Sequence, residues 1–153
     1  MQNILVVHKG PNWWVKIADF GISKRAIEEL TALRTQTGTP AFAAPEVLGY
    51  NYTDSYTSAV DIWSLSVITF LILTGETLFK EQHRLFLYVT GNFAFPVDIL
   101  LANKVSEEGC KFVKDLMAPK SEDRPGAEES LRNPWLAGFT EPAVSEIQRY
   151  CVL

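Results

Sequence analysis

Asp19-Phe20-Gly21 stands directly after an apolar run, Trp14-Val15-Lys16-Ile17-Ala18. Further along come Thr37-Gly38-Thr39-Pro40 and then Ala44-Pro45-Glu46. One such tripeptide is a weak signal in a chain of this length; two, in order and bracketing a Gly-Thr-Pro, are much stronger. Between them residues 22–36 are polar and loop-like, with charges of both signs. The hydroxyls of Ser23, Thr31, Thr35 and Thr37 are candidate phosphorylation sites. A phosphate on one of them would order the loop by pairing with arginine, and Arg25 and Arg34 are the nearby partners.

Short elements must hold these residues. Ile4 to Val7 is β-branched and apolar, His8-Lys9-Gly10-Pro11-Asn12 is a turn signal, and Trp14 to Ile17 alternates again. Together they predict a β-hairpin that ends just before Asp19, with His8 as a solvated residue at its turn. Ser58 to Leu73 is nearly all apolar, which predicts a helix buried on every side, opened by a Ser58-x-x-Asp61 capping box. A second helix runs from Glu81 to Thr90 and stops at Gly91, with His83 on its solvated face. Ser106 caps a third, whose apolar face carries Phe112, Val113, Leu116 and Met117. Ala127 to Arg132 leads into Asn133-Pro134-Trp135-Leu136, and a short tail follows from Phe139.

The chain has 153 residues, enough for one core. A hydrophobic content of 47% and a charged content of 21% are those of a globular protein, and a net charge of -4 gives no electrostatic support to a nucleic-acid partner. The two cysteines, Cys110 and Cys151, lie far apart and form no metal-binding pair. They read as reduced thiols of a cytoplasmic or nuclear protein. The first residues carry no basic region and only a brief apolar run, so no secretory leader is expected. The longest apolar run, Ala59 to Leu73, contains Asp61 and falls short of the roughly 20 residues that cross a bilayer, so no membrane partner is expected.

The order D-F-G, G-T-P, A-P-E resembles the activation segment of a eukaryotic-type serine/threonine protein kinase. The resemblance covers about residues 2–138, a partial kinase domain running from the end of the catalytic loop to the last helix of the C-lobe, with 139–153 as a tail. It implies an α+β, mainly helical fold: a kinase-like C-lobe, truncated, without the N-lobe or the start of the C-lobe. It also implies roles. Gln2-Asn3-Ile4-Leu5-Val6 resembles the end of the catalytic loop. Asn3 and Asp19 would then bind Mg²⁺, for which an amide oxygen and a carboxylate are suitable hard donors. Leu5 would pack beneath adenine, and Asp19, Phe20 and Gly21 would bind the nucleotide with it. Thr39 and Pro40 would face the substrate beside its phosphoacceptor. Glu46 would form a buried ion pair with Arg124 of Arg124-Pro125-Gly126-Ala127, because a buried carboxylate needs such a partner. Asp61-Ile62-Trp63-Ser64 resembles the signature of the central C-lobe helix, where Asp61 anchors the catalytic loop and also caps its own helix. Ile68 and Ile72 match positions that support the adenine-side apolar column. Ser66 departs from the glycine usual in the family, which implies slightly looser packing. The Gly-Thr-Pro and Pro-Trp-Leu details lean toward the calmodulin-dependent and checkpoint kinase group.

Such a kinase also needs a Gly-rich loop, a strand lysine, a helix glutamate and the H-R-D aspartate. All of these would precede Asn3, so no catalytic base is expected among these residues. Met1 stands where the family has the proline of K-P-x-N. The complete parent would use Mg-ATP to phosphorylate protein Ser or Thr, whereas this chain alone is expected to be inactive and to bind Mg-ATP weakly or not at all. The alternative is a non-catalytic interaction module or a gene fragment. In either case the 59–73 helix would lack the helix that covers it in the family. Its apolar face would then be met by a protein partner or would limit solubility.

Overall fold

A computed structural model describes residues 3–10, 13–19, 40–50 and 57–140. The chain divides into two compact units, residues 1–30 and residues 31–153.

The first unit holds an antiparallel hairpin of β1 (Ile4–His8) and β2 (Trp14–Ile17). Ile4 faces Ile17, Leu5 faces Lys16 and Val6 faces Val15; the register then shifts, so that His8 faces Trp14. The β-branched residues favour the pleat, as the sequence predicts. Burial does not accompany it. Leu5, Val6, Val7, Trp14, Val15 and Ile17 are all exposed.

The second unit is helical, with α1 (Ala59–Thr74), α2 (Gln82–Val89), α3 (Val97–Ala102), α4 (Glu107–Leu116), α5 (Ala127–Leu131) and α6 (Ala137–Thr140). Single 3-10 turns lie at Pro40–Phe42, Ser121–Asp123 and Pro134–Leu136. Together with the hairpin this is the α+β, mainly helical class.

Helix α1 is apolar on all sides but buried on only one. Ile62, Trp63, Ser66, Val67 and Phe70 face the core, whereas Leu65 is 46% and Ile72 70% exposed. The expectation of a helix buried all round is therefore corrected to one stripe. Three of its hydroxyls are satisfied within the helix: Ser66 donates to the Trp63 carbonyl, Thr69 to Leu65 and Thr74 to Phe70. The expected capping box does not form. Ser58 adopts helical backbone angles and makes no side-chain cap; the hydroxyl of Thr57, one residue earlier, accepts from the Ala59 N–H at 3.3 Å. At the other end Gly75 takes φ of 72°, a left-handed turn open to glycine, and donates its N–H to the Leu71 carbonyl.

Around the α1 stripe lie Leu85 and Tyr88 of α2, Leu100 of α3, and Phe112, Val113 and Leu116 of α4, with Met117 just after it. Trp63 stacks on Phe79 with centroids 5.8 Å apart, and Phe70 meets Phe95 edge-on. Ser106 caps α4 by accepting from the Gly109 N–H, as its sequence predicts. Gly109 is fixed by space: a Cβ there would lie 2.7 Å from Trp135 and 2.8 Å from Val105.

Candidate functional site

In the hairpin unit the backbone N–H of Ala18 donates to the Asn3 carbonyl at 2.8 Å. This bond extends the ladder one step beyond Ile4 and Ile17. Asn3 and Asp19 are thereby held at the same end of the hairpin, although they are sixteen positions apart in sequence. Both are exposed. Asp19 has φ of 62°, a left-handed conformation that aspartate accepts more readily than most residues. Leu5, two residues into the strand from Asn3, is 51% exposed, so it is not hairpin core.

The donors at this end suit Mg²⁺. That ion takes one or two protein oxygens and fills its remaining positions with water and phosphate oxygens. Asn3 can offer an amide oxygen and Asp19 a carboxylate. Among the described residues no group of three or more His, Cys, Asp and Glu side chains could hold a metal by itself. Phe20, Gly21, Ser23, Thr31, Thr35, Thr37 and Thr39 lie outside the described residues.

In the helical unit Pro40 is exposed and opens the Pro40–Phe42 turn. The chain then sinks: Ala44, Pro45 and Glu46 are buried. Glu46 meets Arg124 in a two-pronged pair, Nη1 to Oε1 at 2.6 Å and Nη2 to Oε2 at 2.9 Å, with side-chain exposures of 2% and 0%. The remaining guanidinium hydrogens are also used. Nε donates to the Ala118 carbonyl at 2.8 Å, Nη1 to Ala59 at 3.0 Å and Nη2 to Pro119 at 3.2 Å. Arginine has five N–H donors, and all five are met. The Trp63 ring covers the cation, 5.0 Å from Cζ. A buried charge pair repays its desolvation only when its other hydrogen-bonding capacity is also satisfied, and here it is.

Asp61 lies in the first turn of α1 but is exposed, and among the described residues its side chain accepts no hydrogen bond. Its expected role as a cap is corrected; its acidic charge near the helix N-terminus is favourable to the dipole all the same. His8 and His83 are exposed. The thiol of Cys110 is held above its usual range by burial and by the neighbouring Glu107 charge, the opposite of an activated nucleophile. Burial also raises the Tyr88 phenol to about 12, against the opposing influence of Arg124. Its hydroxyl donates to the Met117 carbonyl at 2.9 Å.

Three features escaped sequence reasoning. The carbonyls that complete the Arg124 shell carry no signal in residue type. The Trp63 face is a tertiary partner of Arg124. Ser64 donates to the Phe42 carbonyl; here a hydroxyl inside a largely apolar helix was the available signal.

Comparison with known proteins follows the same lines. The family described as "Protein kinase domain" matches residues 1–136. The chain is 38% identical over 138 residues to serine/threonine-protein kinase 17A of Oryctolagus cuniculus, covering 88% of this chain and 33% of the relative. It is 32% identical over 140 residues to calcium/calmodulin-dependent protein kinase type 1 of Macrobrachium nipponense, covering 90% of this chain and 39% of the relative. Among solved structures it resembles the Rad53 kinase domain and SCD2 in complex with AMPPNP, with a TM-score of 0.63 and 29% identity over 88% of this chain and 47% of that one. The chain thus spans about a third of the length of the curated relatives it matches.

Proposed function

The chain belongs to the protein kinase domain family, and from that premise we propose that it is part of a serine/threonine kinase that moves the γ-phosphate of ATP to a protein Ser or Thr. In this reading residues 2–138 form the partial kinase domain and 139–153 a tail. Asn3 and Asp19 hold Mg²⁺. Leu5 lies beneath adenine, and Asp19, Phe20 and Gly21 bind the nucleotide with it. Thr39 and Pro40 face the substrate. Glu46 and Arg124 fix the segment that follows Pro40, and Asp61 anchors the catalytic loop. Ser23, Thr31, Thr35 and Thr37 are the positions where phosphorylation would act. When bound, Mg-ATP supplies the transferable phosphoryl group, with its charge neutralised by the ion.

One observation carries the reading: the Ala18 to Asn3 bond, which brings an amide oxygen donor and a carboxylate to one end of a hairpin. Residues 1–153 by themselves include no G-x-G-x-x-G and no H-R-D motif, so this polypeptide alone transfers no phosphate and binds Mg-ATP weakly or not at all. Phosphate transfer that survives purification and disappears in Asp19→Ala would overturn that statement. The kinase reading is tested by mapping the transcript and reading the coding sequence upstream of Met1. An H-R-D motif and a strand lysine in frame support it. Translation that starts at Met1 excludes catalysis.

A second reading, a kinase-like interaction module of the cytoplasm or nucleus, is favoured by the exposed side of α1, where Leu65 and Ile72 face outward. Among the described residues no helix is long and apolar enough to cross a membrane. A protein partner covering this face would explain it. A monodisperse monomer that takes up little apolar dye counts against this reading.

A further inference from the structure

Besides the packing of Ala44 in the core, hydrogen bonds tie residues 40–50 to α1 at two places. The better fastened is Glu46, through Arg124, which also reaches the Ala59 carbonyl at the start of the helix. The other is Phe42. The Ser64 hydroxyl lies 2.9 Å from the Phe42 carbonyl, across 22 positions of sequence. It also lies 3.1 Å from the Val60 carbonyl of its own helix. A hydroxyl has one proton. Donated to Phe42, that proton ties the turn to the helix; donated to Val60, it closes on the helix alone. Within the turn the Ala43 N–H donates to the Pro40 carbonyl at 3.2 Å, and the Phe42 side chain packs against the core. Among the described residues Ser64 is the one side chain that hydrogen-bonds the backbone of residues 40–43.

We propose that Ser64 is a positioning residue that clamps the Pro40–Phe42 turn onto α1 and so sets the place of the segment that begins at Pro40. Its consequence for substrate rests on the kinase reading, in which Thr39 and Pro40 face the phosphoacceptor. The clamp itself does not depend on that reading. Helix α1 then has two jobs: its Trp63 side faces the core and Arg124, and its Ser64 side holds the turn in register.

The test is hydrogen exchange resolved to residues 41–43 in the 153-residue chain. In Ser64→Ala the Ala43 amide is expected to exchange about two- to tenfold faster, the factor that one net hydrogen bond supplies. Amides of α4 should keep their wild-type protection. Ser64→Thr retains the hydroxyl and should restore protection at Ala43. Wild-type protection in Ser64→Ala would overturn the proposal. So would faster exchange that extends equally into α4, which would mean general loosening. The measurement involves no nucleotide or substrate, so its failure is separate from that of the kinase reading, which the upstream coding sequence decides.

Discussion

The hairpin and the helical unit draw on the same kinds of apolar residue and use them differently. In the hairpin Leu5, Val6, Val7, Val15 and Ile17 all remain exposed. In the helical unit Trp63, Val67, Val113, Leu116 and Met117 are lost to solvent completely. A two-stranded sheet has two open faces and cannot bury its own side chains, and in water such a hairpin is marginal at best. Stacked helices enclose a core. The residues proposed to hold metal, Asn3 and Asp19, belong to the first region; the buried ion pair of Glu46 and Arg124 belongs to the second. The chain therefore keeps its candidate reactive groups on its least self-sufficient element and its stability elsewhere.

The strongest way to break that contrast is Arg124→Ala. Leaving Glu46 buried without its partner should cost about 3–5 kcal/mol in chemical denaturation of the helical unit. A loss below about 1 kcal/mol would mean that the pair is not where stability resides. Gly109→Ala comes next. Its new methyl group would press on Trp135 and Val105, for about 1–3 kcal/mol measured by thermal melting. Tyr88→Phe should cost about 1 kcal/mol at neutral pH, the net worth of the bond to Met117. The same variant sharpens the contrast in alkali. The Tyr88 phenol is raised from 10.0 to about 12 in the folded state, so native protein holds its proton where the unfolded chain has released it. Stability is full below about pH 10 and declines as pH rises toward 12. Tyr88→Phe should flatten that part of the pH–stability curve. The smallest effects compare two serines: Ser106→Ala should lose about 1 kcal/mol by removing a working cap, whereas Ser58→Ala should stay within about 0.5 kcal/mol.

Those two serines also mark how far the sequence could be read. Both precede helices, and both have an acidic residue nearby. Ser106 takes the extended backbone that lets its hydroxyl reach back to Gly109, whereas Ser58 is already helical and Thr57 does the capping. Backbone angle decides this, and residue type does not report it. The hairpin was legible because alternation and a Gly-Pro turn are local signals. The face of α4 was legible from the spacing of Phe112, Val113 and Leu116. Helix α3 was not, because six residues after Pro96 are too few to display a period. On α1 the apolar pattern was uniform, so it carried no information about which side faces the core. Within the candidate site the charged partner of Glu46 was legible as a motif. The ring of carbonyls around Arg124 was not, since every residue has one.

The five bonds of Arg124 bear on the order in which the molecule is made. Glu46 and Arg124 are 78 positions apart, and synthesis delivers the carboxylate first. Until the arginine follows, Glu46 has no reason to give up its water, because a lone buried charge is too costly to keep. The Ala44-Pro45-Glu46 segment can settle only after most of the helical unit has been translated. Closing so long a loop is a late event in folding. Arg124 thus works as a latch: a residue made 78 positions later locks down a segment that left the ribosome long before it.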